Sequence, residues 1–167
     1  MAKLFLLMLA LLPVSAVLAQ KIEVKKDVIL VDGQPYATLE ADGCGVLDVQ
    51  CLYYVKALTG DKRLFVVKQQ VYLDPDHRDA SNPTGRVLYL QYVFTAAGIA
   101  AETAYPLTLH LRSIDVARKV VKAHLMKDGA LDEQAAADFV TNNGSPFGER
   151  RKALGAPPTI IINNRGY

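Results

Sequence analysis

The chain has 167 residues, 19 basic and 17 acidic side chains for a formal net charge of +2, and two cysteines. A chain of this length suits one domain with its own core and leaves little room for a second. Its near-balanced charge gives no electrostatic case for nucleic-acid binding, which demands a basic stripe to replace phosphate counterions.

The opening residues read as an export signal. Lys3 precedes an apolar run over 4–12, Pro13 breaks it, and Val17 and Ala19 supply the small residues of a cleavage box. The expected cut lies after Ala19. A bilayer span needs about 20 apolar residues, whereas this stretch is interrupted by Pro13 and ends at Gln20. No cysteine follows the cleavage box, so the mature protein is expected to be no lipoprotein, to have no membrane span, and to be periplasmic or extracellular. Loss of Lys3 with the prepiece brings its net charge closer to zero. Residues 20–167 are expected to form one α+β domain. Cys44 and Cys51 are an even pair in an exported chain, which favours a disulfide worth roughly 2–3 kcal/mol on a chain-entropy estimate. Six intervening residues and the absence of a second pair argue against redox or zinc chemistry.

Over 22–94 the pattern has a period of two. Strand 28–31 enters Asp32-Gly33, which accepts the positive φ of a tight hairpin, and returns over 36–39. Next, Val49, Cys51, Tyr53, Val55 and Ala57 share a face directed at the core, while Leu52, Tyr54 and Lys56 share the other. Strand 64–73 pairs back with Lys68 and Gln70 outward. Strand 87–94 is apolar on both faces and belongs in the sheet interior. Between these two, 74–86 is rich in Asp, Pro, Asn and Gly and reads as a long exposed loop. Stretch 95–102 is ambiguous, and 107–111 is a candidate short strand.

After Arg112 the period becomes 3.6. Ser113 is expected to cap a first helix with Ile114, Ala117, Val121 and Leu125 on one face, finished by Lys127-Asp128-Gly129. Asp132 caps a second helix that ends at Asn142-Asn143-Gly144, and Ser145-Pro146 opens a short third that stops at Gly155. Residues 159–162 make a final apolar strand that can dock on a sheet edge. An N-terminal antiparallel meander over about 22–111, followed by helices over about 113–154, predicts an α+β fold.

Three carboxylates, a histidine and an arginine crowd the stretch Asp74-Pro75-Asp76-His77-Arg78-Asp79. Asp76, His77 and Asp79 are therefore the candidate catalytic residues of a hydrolase reading. A calcium loop is disfavoured because Arg78 occupies a ligand position, and a solvated turn accounts for the same residues. His110 is expected at solvent and His124 at the rim of the first helix's apolar face, without metal-ligand spacing. The run Glu149 to Lys152 reads as a solvated helical face rather than an anion site. Tyr54, Tyr72 and Tyr92 are candidates for an aromatic binding patch on the second face of the sheet, unless helices cover it. No metal and no cofactor is implied.

The stretch Asp27-Val28-Ile29-Leu30-Val31-Asp32-Gly33-Gln34-Pro35-Tyr36, with Lys127 to Asp132 and Asn143 to Phe147, resembles small exported proteins of unknown function from Bacteroidota-type bacteria. That resemblance implies an envelope or secreted location and carries no catalytic residues. The leading expectation is a non-enzymatic exported protein that binds another macromolecule, a protein or envelope component, or serves an accessory role at the cell envelope. A hydrolase using Asp76, His77 or Asp79 and a carrier of a small apolar ligand are the alternatives.

Overall fold

Alternation of β-branched and aromatic residues with polar ones builds one sheet of seven strands. The computed structural model describes residues 20–44, 51–105 and 111–156; the prepiece, His110 and the expected strand over 159–162 lie outside them. The strands are β1 (Ile22–Lys25), β2 (Val28–Val31), β3 (Gln34–Asp42), β4 (Leu52–Lys56), β5 (Arg63–Leu73), β6 (Arg86–Phe94) and β7 (Ile99–Ala104). They lie side by side in chain order, each antiparallel to its neighbours. Asp32 and Gly33 turn the β2–β3 hairpin at φ 51° and 82°, the positive values that match the strand twist. Lys26 and Asp27, at 48° and 62°, do the same for β1–β2. Cys44 and Cys51 lie at disulfide-bonding distance with Cα atoms 4.6 Å apart.

Register assigns the faces. Tyr53, Val67 and Tyr92 are aligned across β4, β5 and β6 on one side, and Tyr54, Val66 and Val93 on the other. The first side packs against α1 (Ser113–Lys122) and α2 (Glu133–Asn143), whose Val116, Val120, Val121 and Ala136 join Leu39, Val55, Phe65 and Phe94 in the main core. Phe139 of α2 sets its ring edge-on to Tyr92, 4.9 Å between centroids. The second side carries α3 (Pro146–Ala153), so the α+β arrangement has helices on both faces of the meander.

Four local expectations are corrected. The ambiguous stretch before Ala104 is the edge strand β7; its alanines have weak strand propensity, but they let α2 approach closely. Arg112 rather than Ser113 is the cap residue of α1, and its guanidinium takes Asp115 in two contacts of 3.0 Å. That helix ends at Lys122, not at Gly129. His124 reverses the chain at φ 52°, and β8 (Met126–Lys127) pairs with β9 (Ala130–Leu131) across Asp128-Gly129. Leu125 is fully buried all the same. Finally, Gln70 points to the second face but is only 3% exposed, because α3 lies over it.

Candidate functional site

The acidic loop between β5 and β6 is built around a buried carboxylate. Proline at the first helical position shapes Pro75–His77 into a 3-10 turn, and Asp74 caps it by accepting the Asp76 N–H at 3.0 Å. The Asp74 side chain is 1% exposed and accepts both Nε and Nη2 of Arg150, at 2.7 and 2.8 Å, in a bidentate pair. Arg150 also binds Asp76. Hydrogen bonding from Arg150 holds the Asp74 carboxyl well below the usual carboxylate range. His77 is largely exposed, with Nδ1 3.4 Å from Asp74. Asp79 is spent on the loop itself: it accepts from the Ser81 N–H, the Ser81 hydroxyl and the Asn82 N–H at 2.7, 2.6 and 2.7 Å, bonds that lower its pKa. Asn82 then braces the loop by donating to the His77 and Arg86 carbonyls. Gly85, at φ 69°, closes it so tightly that a Cβ there would overlap the Asp74 carbonyl.

This cluster is one of the points that hold α3 to the sheet. At the helix N-terminus, Gly148 donates its N–H to the buried Glu102 carboxylate at 2.8 Å, where partial positive charge favours an anion. Phe147 stacks on Tyr89 with centroids 5.1 Å apart, and Arg151 donates to the Tyr89 hydroxyl at 3.0 Å. The run Glu149 to Lys152 is therefore not a uniformly solvated face: Arg150 and Arg151 are the ties between α3 and the sheet.

The three candidate tyrosines separate. Tyr72 lies under α3 beside Val87 and Tyr89, with Phe147 and Leu154 packed on the cluster. Tyr54 is on the same face, 9% exposed, with the Arg63 guanidinium 3.9 Å from its ring centroid. Tyr92 is on the opposite face, fully buried, because its register with Tyr53 and Val67 turns it to α2; burial pushes its hydroxyl pKa up. Tyr53 donates to the Leu111 carbonyl at 2.9 Å and its pKa is pushed up to about 12, chiefly by burial.

A second polar constellation escaped the sequence reading. Lys21, Arg118, Lys122 and His124, with Gln20 and Ile22, line a cleft of about 740 Å³ between the start of β1 and the C-terminal half of α1. Its volume falls in the range of ligand clefts. Lys21 is pinned at the backbone, donating its N–H to Asp32 at 2.8 Å and accepting the Asp32 N–H at 2.8 Å, while its ammonium stays exposed, 3.2 Å from Glu23. Arg118 reaches Asp115 only at 3.7 Å, and Asp115 is already engaged by Arg112. Among the described residues Lys122 makes no ion pair, and none of those that line the cleft is a carboxylate. Half-burial, and then the charge of Lys122, lower the pKa of neighbouring Lys119. The i, i+4 spacing of Arg118 and Lys122 was visible in the sequence, but its meeting with Lys21 is a tertiary contact. His124 lies here, apart from the His77 loop.

Among the described residues no group of three His, Cys, Asp or Glu side chains is placed to hold a metal ion. No helix among them is long and apolar enough to cross a membrane. No protein-family model, curated protein or solved structure matches the chain.

Proposed function

We propose that this is an exported, non-enzymatic protein that binds an anionic macromolecule outside the cytoplasm, and that the cleft between β1 and α1 is its contact surface. The observation that carries this reading is the cleft itself, where Lys21, Arg118, Lys122 and His124 converge; among the described residues that line it none is a carboxylate, and Glu23 meets Lys21 from outside. Convergent cations raise the local concentration of an anionic partner and steer its approach. The alternative polar centre is engaged elsewhere: Asp74 is closed off by Arg150, and Asp79 is held by its own loop. Tyr53, Phe65, Tyr92 and Phe94, at 0–1% exposure, fill the space between sheet and helices that a carried apolar ligand would need. The disulfide-distance pair Cys44 and Cys51 is compatible with an oxidising compartment. Cleavage after Ala19 would leave Gln20 as the first residue, at the mouth of the cleft.

The test is affinity capture by the tagged protein from the exported fraction of its host at two ionic strengths. A partner held at low salt and released as salt rises past the physiological range supports the reading, since exposed charge pairs are screened over about 8–10 Å there. A partner retained equally at both, and equally by an Arg118→Glu/Lys122→Glu variant, refutes it.

A further inference from the structure

The two edges of the sheet differ in how their backbone groups are satisfied. At β7, Glu102 donates its outward N–H to the Gly144 carbonyl at 2.9 Å, so the end of α2 closes that edge. At β1 the ladder to β2 alternates. Lys21 donates its N–H to the Asp32 carboxylate and accepts the Asp32 N–H, which aims its backbone at β2. Glu23 and Lys25 point the same way, and Ile22 and Val24 aim their N–H and C=O groups out of the sheet. Among the described residues nothing pairs with those outward groups. An open row of strand donors and acceptors is a template for another extended chain.

The side chains around the row decide which chain fits. Ile22 and Val24 pack toward the main core, and alternation puts Lys21, Glu23 and Lys25 on the other face. A second copy paired in full antiparallel overlap through Ile22 and Val24 would set Glu23 against Glu23 and Lys21 against Lys25, and like charges directly opposite destabilise a strand pair. Glu23 stands between the ammonium groups of Lys21 and Lys25, at 3.2 and 3.1 Å, so this face keeps a net positive charge. The basic cleft opens at the same strand, where Lys21 and Ile22 line it together with Arg118 and Lys122. We propose that β1 is the docking edge for an extended acidic segment of a partner protein, which adds to the sheet as a further strand and offers carboxylates to Lys21, Lys25 and the cleft. This rests on the reading of the cleft as an anion-binding surface and names its partner.

The probe is a synthetic peptide of alternating Glu and Val, compared with the same peptide N-methylated throughout, which keeps the charge and loses the strand donors. Expected are exchange of the Ile22 and Val24 amides slowed at least about tenfold by the first peptide, and affinity at least about tenfold weaker for the second. Val24→Pro removes one outward N–H at an edge where proline is tolerated, and should weaken binding of the first peptide to the same degree, its fold checked by the melting curve. Equal affinity for both peptides overturns the added strand and leaves the anion-binding reading standing. If neither peptide binds while a salt-sensitive partner is still captured through the cleft, the proposal is overturned in favour of a polyanion that is not a peptide; loss of that capture as well removes the underlying reading. Protection of Ile22 and Val24 without peptide, in a dimer, makes a second copy the occupant and overturns it too.

Discussion

The molecule holds two clusters of titratable side chains, one mainly acidic and one basic, that also differ in what surrounds them. In the β5–β6 loop, Asp74 is buried and paired with Arg150, and Asp79 and Asn82 are satisfied within the loop. In the cleft between β1 and α1, the cations stay open to solvent and exceed their acidic neighbours. A crowd of titratable residues in one short stretch of sequence is thus a tie between elements. The less conspicuous group, drawn from residues 21 and 118–124, keeps its charge available to a partner.

The strongest test of this contrast is Asp74→Asn. It removes the charge that Arg150 was placed to meet and loosens α3, so Tm should fall by about 10 °C near neutral pH. The acid limb gives the sign. Because the folded pKa of Asp74 is depressed, its contribution is fully present above the ordinary aspartate value of 3.8 and is lost as pH falls through the folded value. The gap between wild type and variant, followed by thermal melts from pH 7 downward, should therefore close in strong acid; a constant gap would mean that Asp74 acts through packing alone.

Gly85→Ala should come next, costing roughly 2 kcal/mol, because the new methyl group meets the Asp74 carbonyl and the residue must keep a positive φ. Chemical denaturation reads this directly, and a neutral result would show that the loop is slack. Two buried tyrosines carry the same contrast into the core. Tyr53→Phe loses its bond to Leu111 and should cost about 1 kcal/mol. Tyr92→Phe removes a buried hydroxyl whose contact with the Thr103 side chain falls short of good hydrogen-bond geometry, and should cost less than Tyr53→Phe does. The smallest expected effect is that of Asp76→Ala/His77→Ala. Both side chains are largely exposed, so Tm should move by no more than about 2 °C and the phenotype of the host should be unchanged. A lost phenotype with an unmoved Tm would favour the hydrolase reading.

Much of the architecture could be read from the residues. Period-two stretches with Asp32-Gly33 gave the meander, Tyr53 and Val55 were assigned to the core face, and Asp132, Ser145-Pro146 and Gly155 marked helix ends that the structure keeps. What could not be read depends on contacts remote in sequence. Ala100 and Ala101 form a strand because β6 and α2 accept them there. The α1 helix stops early because Asp128-Gly129 prefers a hairpin turn to a helical C-terminus. Tyr92 faces α2 because of register alone, and a shift of one residue would have placed it with Tyr54. At the site level the composition of the acidic loop was plain, but its purpose was not, since Arg150 lies far along the chain. The cleft was invisible for the same reason: nothing local joins Lys21 to Arg118.

The most direct measurement compares two charge variants in one capture experiment on the exported fraction: Arg118→Glu/Lys122→Glu in the cleft and Asp76→Ala/His77→Ala in the loop, each verified by its melting curve. The account predicts that both fold normally and that only the cleft variant loses the salt-sensitive partner. Loss of that partner from the loop variant, with the cleft variant still holding it, would contradict the assignment.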